Sequence, residues 1–517
     1  MLTLLAACSQ EAEERQPEPQ SAVLLQPSVR RLSLSELERG AEDVLGMELD
    51  WSSQLPPDAR QHDFSRSLTQ SVDAVTLTQL YDAVASAANV LELSSSAFPT
   101  CAASASDGAC ADEVVAQLAT RAFRRSPAVA ELAKLRALFD TATTSGSFRD
   151  GVVLVARALL GSPQFLYDTA LGAANNGNAA ENRLSDAELA SQLAWLVSGA
   201  PPDAELLAAA GTLRSGAERL KQAQRLLGKS ESRYLYRRFV EEWLGLEKLG
   251  DLAKSSSVVT DFPTLRGAML QETDAVVDDV LINANGSIEA LFAGSFSLVP
   301  PGLAPFYGIE TPKAAQRVSL ARLGRVGLLQ HASFLATFAH EDESAPVLRG
   351  KAVLERLLCR PSVKPSELGI NVVLPAPDPG ATTRERFAVH ASQPACSGCH
   401  EALDGIGFTF ENFDAVGRWR DAESGKPIVS TGHAVIDGEE LDFADSAELS
   451  RALAKSEELS ECAARHVVRF AAGEASEAVE NDFVARTRRL PAEDRGALTG
   501  LLLAYVQGDW FAKRTTR

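Results

Sequence analysis

The chain is poor in the residues that carry most catalytic chemistry, and several common motifs are missing. Its 517 residues include only 7 His, 7 Cys and 3 Met. No phosphate-binding loop of the G-x-G-x-x-G or Walker type occurs, which argues against a nucleotide-binding protein. No H-E-x-x-H or Ser-His-Asp pattern stands out either. A run of about 18 apolar residues is also lacking, so the sequence predicts no membrane-spanning helix.

Basic residues are fewer than acidic ones. The chain has 50 Lys and Arg against 69 Asp and Glu, a formal net charge of −19. An acidic surface repels the phosphates of nucleic acids and of anionic lipids, so we predict no nucleic-acid partner and favour a basic protein partner. Since 45% of the residues are hydrophobic and only 23% are charged, the chain has enough apolar side chains to form several folded cores.

Cysteine is scarce, yet two of the seven lie in one motif. Residues Cys396-Ser397-Gly398-Cys399-His400 form a C-x-x-C-H sequence, the attachment signature of a c-type haem. In this chemistry the two thiols add to the porphyrin vinyl groups and the adjacent His provides the proximal iron ligand. We therefore predict one covalent haem c held by Cys396, Cys399 and His400.

Two other interpretations of this motif stay open. A disulfide or thiol-redox pair of the thioredoxin kind should begin a helix just after a buried strand, but residues 382–394 have an amphipathic helical pattern instead. A zinc site needs a second pair of ligands at close spacing, and the other cysteines are scattered.

The distal side of the predicted haem has few possible ligands. Electron-transfer cytochromes usually carry a sixth ligand, often Met or His. No Met follows His400 in the sequence, so a Met ligand from the local haem fold is excluded. His433 and His340 are the distal candidates. An iron without a sixth protein ligand is the alternative, and it would permit peroxide or oxygen chemistry.

The N-terminus resembles part of a bacterial lipoprotein signal. Leu5-Ala6-Ala7-Cys8 matches the end of such a signal, although residues 1–4 are too short for the rest of it. A stretch rich in Glu, Gln and Pro follows over 9–26, as in a flexible tether. We predict lipidation of Cys8 and a periplasmic or cell-surface protein, bound to the bacterial (outer) membrane only by its lipid anchor. The alternative is an accidental match.

Four cysteines remain after these assignments: Cys101, Cys110, Cys359 and Cys462. An even remainder in an oxidising compartment favours two disulfides. Cys101 and Cys110 flank a short loop of small residues, which leaves Cys359 to pair with Cys462. Four buried free thiols are the alternative.

Apolar residues recur at spacings of three and four along most of the chain, which predicts a mainly α fold. One predicted helix covers 318–338, just upstream of the haem motif, and the best β candidate is a hairpin within 425–443. The predicted divisions are a truncated lipoprotein signal and tether (1–28), an N-terminal helical module (29–110), a basic helical hairpin module (111–147), a large central helical module (148–315), a module with a Pro-rich connection and the haem motif (316–425), and a C-terminal helical module completing the haem domain (426–517).

Several dense motifs follow one another in a characteristic order: 30–36, 43–46, 121–125, 162–167, 183–190, 346–350, 404–408, 411–414 and 417–420. In this order they resemble a bacterial multi-module, cytochrome-like family of planctomycete and myxobacterial type, built from domains of unknown function. The resemblance implies a haem motif in the C-terminal part. One departure is Gly405, where the family usually has Pro. In small c-type cytochromes a Pro carbonyl near this place often orients the haem His, so the sequence leaves the partner of His400 unassigned.

The predicted architecture is a multi-domain helical scaffold followed by a cytochrome c-like helical haem domain with a small β hairpin. Phe408 is expected at the porphyrin edge, and Arg418 and Trp419 are expected to contact the haem propionates. The predicted function is electron transfer with an unknown redox partner. Two alternatives remain: a haem-dependent redox enzyme with an open distal site and an unknown substrate, and a surface binding protein without haem.

Overall fold

A computed structural model describes residues 23–95, 97–103, 108–175, 178–362, 367, 378, 380–391 and 394–516. The predicted lipidation site Cys8, most of the tether and nearly all of the Pro-rich connection lie outside these residues. The fold is mainly α, with 57% of the structure in helices and only small sheets, as the periodicity predicts. Within the described ranges, no helix is both long enough and apolar enough to cross a membrane.

The helices follow one another along the whole described chain. The α-helices are α1 Leu34–Leu45, α2 Ala74–Asn89, α3 Gly108–Phe123, α4 Val129–Thr143, α5 Phe148–Leu160, α6 Pro163–Leu166, α7 Asp186–Val197, α8 Ala204–Ala209, α9 Gly216–Leu227, α10 Ser230–Leu244, α11 Phe262–Asn283, α12 Ile288–Ala293, α13 Ala332–Thr337, α14 Pro346–Leu357, α15 Thr383–Ala391, α16 Pro394–Gly407, α17 Ser446–Lys455, α18 Glu457–Ala472, α19 Glu477–Thr487, α20 Ala492–Arg495, α21 Leu498–Gln507 and α22 Asp509–Ala512. Short 3₁₀ helices cover Thr100–Ala103, Ala210–Thr212, Leu246–Asp251, Leu320–Leu323, Leu328–Gln330 and Phe408–Phe410.

The strands are short and all of their named pairs are antiparallel. They are β1 Ser28–Arg31, β2 Tyr167–Ala170, β3 Ala173–Asn175, β4 Asn178–Arg183, β5 Phe296–Val299, β6 Gln316–Ser319, β7 Ala422–Glu423, β8 Lys426–Pro427, β9 Gly432–Ile436, β10 Glu439–Phe443 and β11 Lys513–Thr515. Strands β11, β4 and β3 form one sheet, and the others pair as β1–β2, β5–β6, β7–β8 and β9–β10.

The prediction of one continuous helix over 318–338 is wrong. It contains the end of β6, two 3₁₀ helices and the short helix α13. Gly324 and Gly327 have φ values of 64° and 59°, a left-handed conformation that an α-helix does not continue through. Most apolar residues from Val326 to Ala336 are buried, but these two glycines interrupt the helical backbone.

Three hydrophobic clusters form the core. The largest combines apolar residues from the central helices α7–α12 with residues of α14, α16 and the C-terminal helices. A second cluster lies in the N-terminal part and includes residues from both of the first two helical modules. A third, smaller cluster contains Met269 and Val416. The helix α16 that carries the C-x-x-C-H motif is therefore anchored through its C-terminal half, at Leu403 and Ile406, in the largest core.

Glycines allow α14 and α16 to pack against each other without side chains between them. A Cβ at Gly350 would lie 1.9 Å from the carbonyl oxygen of Leu403, and a Cβ at Gly407 would lie 2.1 Å from the carbonyl oxygen of Pro346. Real Cβ atoms do not approach this closely, because such a contact lies far inside the van der Waals distance. The two glycines thus fix the position of the motif helix against α14.

We expect the substitution Gly350→Ala to lower the free energy of unfolding by about 3 kcal/mol, because the added methyl group meets backbone that cannot move aside easily. The matched control is Gly267→Ala in α11, where a Cβ would have no neighbouring atom within 4 Å outside its own helix backbone. There alanine should raise the free energy of unfolding by about 0.5–1 kcal/mol, since it reduces backbone freedom in the unfolded chain. Urea denaturation followed by circular dichroism measures both; shifts of the same sign would contradict the packing argument.

Candidate functional site: the C-x-x-C-H helix

Helix α16 carries the whole C-x-x-C-H motif. The helix begins at Pro394, a residue suited to the first turn because its missing N–H would have no partner there. Residues three apart in a helix share a face, so the backbone positions of Cys396 and Cys399 lie on one side of α16. The side chains of these two cysteines lie outside the described part of the structure. Gly398 between them is exposed, with nothing within 4 Å of a Cβ position.

The imidazole of His400 is paired with Asp404, one turn further along the same helix. The His400 Nδ1 atom lies 3.3 Å and 3.2 Å from the two carboxylate oxygens of Asp404. The Asp404 side chain is 5% exposed and that of His400 is 21% exposed. The hydrogen bond to Asp404 raises the pKa of His400, and partial burial opposes this rise. Asp404 thus holds the His400 ring through its Nδ1 atom.

The β9–β10 hairpin packs directly on the motif helix at Gly405. A Cβ there would lie 2.6 Å from the carbonyl oxygen of His433 and 2.9 Å from its Nε2 atom. A Cβ at Gly432 would in turn lie 2.1 Å from the carbonyl oxygen of Gly405. A proline at position 405 would collide with β9, so the departure from the family pattern matches this close contact. His433 itself is exposed and pairs with Asp442 across the hairpin.

Arg384 of α15 joins this helix to the loop before the hairpin, and sequence reasoning missed it. Its guanidinium carbon lies 4.6 Å from the ring centre of Phe408, and Phe408 is buried. The Nη1 atom donates hydrogen bonds to the carbonyl oxygens of Val429 and Thr431, at 3.1 Å and 2.6 Å. Burial lowers the pKa of Arg384, and the nearby Asp404 partly offsets that effect. No local pattern in the sequence distinguishes Arg384 from its basic neighbour Arg386.

His340 lies in a loop beside α15. The backbone N–H of His340 donates to the carbonyl oxygen of Glu343 at 3.1 Å. The backbone carbonyl of His340 accepts a 2.7 Å hydrogen bond from the Lys254 ammonium group. Glu343 pairs with Arg386 of α15. Burial lowers the pKa of Lys254 to about 8. Among the described residues, no hydrogen bond, ion pair or ring contact joins His340 to His400.

Arg418 has partners from a distant part of the chain, whereas those of Trp419 are close to it in sequence. Arg418 donates to the carbonyl oxygen of Val258 at 2.7 Å and stacks over Phe306. The Trp419 indole N–H donates to Asp421 at 2.9 Å, and its ring packs edge-on against Phe413. In the described part of the chain these two residues make no recorded contact with His400, Asp404 or Phe408. Their predicted role at the haem propionates stays a prediction.

The four remaining cysteines form two disulfides, Cys101–Cys110 and Cys359–Cys462, which are the pairs that the sequence analysis assigned. His466 lies beside the second one, with Nε2 3.7 Å from the Cys359 sulfur and 3.1 Å from the carbonyl oxygen of Arg356. Burial lowers the pKa of His466 well below its usual value. Over the described ranges this is the one cluster of three possible metal ligands, and its sulfurs are bonded to each other.

Comparison with known families found four matches in consecutive segments. Residues 30–91 match PSD3, a protein of unknown function (DUF1587), and residues 110–169 match PSD5, a protein of unknown function (DUF1595). Residues 184–309 match PSD4, a protein of unknown function (DUF1592), and residues 325–423 match PSCyt3, a protein of unknown function (DUF1588). Searches of curated proteins and of solved structures each found no match. The chain therefore contains four such modules in series, and α16 lies within the last of them.

Proposed function

We propose that this chain is a monohaem c-type cytochrome that transfers electrons, with haem attached to Cys396 and Cys399 and with His400 as proximal ligand. The observation that carries the proposal is the His400–Asp404 pair on the helix that also bears both cysteines. A ligating histidine commonly donates its second ring N–H to a carboxylate or carbonyl, which fixes the ring orientation. The match over 325–423 to a model with a cytochrome-type name supports the same assignment.

The donor set fits this cofactor. Two thiols and an imidazole on one helix are the groups that covalent haem attachment needs, and the described residues Gly398 and Glu401 of that helix are exposed. A bound haem would supply one-electron exchange at its iron. In this arrangement Asp404 holds the His400 ring and its Nδ1 proton, and Phe408 and Arg384 form a wall beside the helix.

We further propose a periplasmic or cell-surface location, with a lipid anchor at Cys8 and a basic redox partner. The two disulfides support an oxidising compartment, because cytosolic thiols are normally kept reduced. The net charge of −19 supports a basic partner through electrostatic steering.

A second candidate is a haem-dependent redox enzyme with an open distal site. It is favoured by the positions of the methionines: Met269 is fully buried in the third cluster and Met47 packs in the N-terminal core. His433, one of the two histidine candidates for the distal ligand, packs on the same helix as His400. Carbon monoxide and cyanide separate the two candidates, since they bind an open iron and a firmly six-coordinate iron resists them.

The first test is a pyridine haemochrome spectrum of protein expressed in the periplasm with haem-maturation machinery. We expect one covalent haem per chain in the wild-type protein and none in the double variant Cys396→Ser/Cys399→Ser. The matched control is Cys101→Ser/Cys110→Ser, which also removes two cysteines and should keep its haem. Wild-type protein without covalent haem would leave a helical surface binding protein instead of a cytochrome.

Asp404 should also set the reduction potential. A carboxylate on the proximal imidazole increases electron donation to the iron and favours its oxidised form. We expect Asp404→Asn to raise the midpoint potential by roughly 60 mV, which corresponds to a tenfold change in a one-electron equilibrium. The control is Glu401→Gln, which removes one charge from an exposed position on the same helix. Equal shifts in the two variants in a spectroelectrochemical titration would show only a general charge effect.

A further inference from the structure

Trp419 helps to form a pocket that the proposed function does not use. The pocket has a volume of about 400 Å³, and its lining includes Phe306, Tyr307, Arg322, Gly324, Arg325 and Trp419. It lies between the end of the last matched module and the loops around β6. Its walls are therefore brought together by tertiary packing of segments about a hundred residues apart.

The pocket is positively charged in a strongly acidic protein. Its lining contains two arginines and no acidic residue, although the chain as a whole carries −19. Arg325 is 3% exposed, and it donates to the carbonyl oxygens of Gln330 and Gly417. Its guanidinium lies 4.6 Å from the Tyr307 ring centre. Arg325 thus forms a fixed cationic floor.

Arg322 is the second arginine of the pocket lining. It is exposed, and no ion pair or side-chain hydrogen bond is recorded for it within the described residues. Arg418, 42% exposed, stacks on the lining residue Phe306 and lies 3.9 Å from the carboxylate of Asp414. The exposed guanidinium of Arg322 is suited to bind a carboxylate through two parallel hydrogen bonds. The charge of the pocket therefore favours an anionic ligand.

Trp419 offers a stacking surface at the same pocket. It is 45% exposed, whereas the other four tryptophans of the chain are at most 5% exposed. Its ring packs against Gly324, with atoms 3.3 to 3.6 Å from a Cβ position there, and its N–H is held by Asp421. The ring is therefore held in one orientation with part of its surface open to solvent. Rigid exposed aromatic rings are common binding surfaces for flat ligands.

We propose that this pocket binds a small carboxylate that carries a ring. The carboxylate pairs with Arg322, and the ring stacks on Trp419. Two sources share this chemistry, an aromatic acid and an acidic sugar, because each joins a carboxylate to a ring that has an apolar face. The proposal does not depend on haem, because its residues make no recorded contact with the described residues of the C-x-x-C-H site.

Isothermal titration calorimetry on the full chain tests the proposal with benzoate and with galacturonate. Benzyl alcohol and galactose are the neutral analogues. We expect at least one acid to bind and its neutral analogue to bind at least about tenfold more weakly, as expected for the loss of a charge-assisted hydrogen bond. Binding of benzoate would identify the ligand class as an aromatic acid, and binding of galacturonate would identify it as an acidic sugar. Binding of neither acid, or equal binding of an acid and its neutral analogue, would overturn the proposal.

Two variants locate the binding. Arg322→Gln and Trp419→Ala should each weaken it about tenfold, while their circular dichroism melting curves stay close to that of the wild-type protein. Arg489→Gln is the matched control, since Arg489 is exposed and outside the pocket. Equal weakening in all three variants would overturn the proposal. Binding that disappears when haem is attached would also overturn it, because the haem propionates would then occupy the pocket.

Iodide quenching gives an independent measurement, because Trp419 alone among the five tryptophans is substantially exposed. In protein without haem, iodide should quench more fluorescence than caesium when each is compared with its quenching of free N-acetyltryptophanamide, since the local charge attracts anions. The binding acid should protect this fluorescence, and Trp419→Phe should abolish the effect. Stronger quenching by caesium would contradict the cationic pocket.

Discussion

Replacing Arg349 by Met is expected to lower the free energy of unfolding by about 4 kcal/mol, within the range for breaking a buried charged network. Arg349 is completely buried. It donates to the carbonyl oxygens of Phe410 and Phe413 at 3.1 Å and 2.8 Å, and to those of Leu335 and Asp414 at 3.2 Å and 2.7 Å. Methionine fills a similar volume but leaves these four acceptors without their donor.

The loss should be specific to this position and visible in urea denaturation monitored by circular dichroism. Burial lowers the pKa of Arg349 to about 10, so the side chain is charged at neutral pH and contributes charge-assisted hydrogen bonds. Arg489→Met at an exposed position should change the free energy of unfolding by less than about 0.5 kcal/mol. A small effect at both positions would mean that water or rearranged backbone replaces the Arg349 donors.

Arg349 also shows that a sequence motif can be recognised without its structural role being predictable. The motif at 346–350 is recognisable as a family feature, but the pattern does not indicate its physical role. In the structure Arg349 holds the loop after α16 and Gly350 lets α16 approach α14. Both functions depend on residues about sixty positions away, and local periodicity contains no information about such partners.

Local capping signals were more informative. Ser33 followed by Glu36 predicts a capping box, and the structure has one at the start of α1. The same Glu36 also accepts hydrogen bonds from Arg30 and Arg66 in a buried network. Burial alone would raise the pKa of Glu36, but these two cations bring it well below its usual value. The cap follows from spacing along the chain, whereas Arg66 could be placed only by the fold.

The strands show the same contrast between features that local sequence predicts and features that depend on the fold. The hairpin predicted within 425–443 exists as β9 and β10, joined by a turn at Asp437 and Gly438 with positive φ. That turn is a local signal. By contrast, β1 pairs with β2, and β11 pairs with β4, across sequence separations of more than a hundred residues. Strands of three to six residues lack a clear period-two pattern, so their pairing was not predictable.

At the candidate site, the motif predicts the residues but not their surroundings. His400 and Asp404 are four apart on a helix, and this spacing could have identified the pair. The placement of Arg418 and Trp419 could not have been found this way, because the direction of a side chain after a tight turn depends on the packing of Phe306 and Gly324.

Besides the loss of Arg349, removal of the Cys359–Cys462 disulfide should cause the largest decrease in the free energy of unfolding. This bond closes a loop with a sequence separation of 103 residues, which contains α15, α16 and the β9–β10 hairpin. In the chain-entropy description, a loop of this length corresponds to about 4.7 kcal/mol, and the separation of 9 residues between Cys101 and Cys110 to about 2.6 kcal/mol. We therefore expect Cys359→Ala/Cys462→Ala to be the more destabilising of the two double variants.

Backbone geometry adds to this expectation, since Cys359 has a φ of 49°, a conformation that costs a residue with a side chain about 1–2 kcal/mol. Without the bond, that cost and the entropy of the long loop both favour local opening. Hydrogen exchange should consequently increase within 360–461 in the variant, while α1 to α5 keep their protection, because they belong to a separate core. Uniform loss of protection along the chain would contradict a local role, and unchanged exchange within 360–461 would show that packing against α14 holds the motif helix without the covalent link.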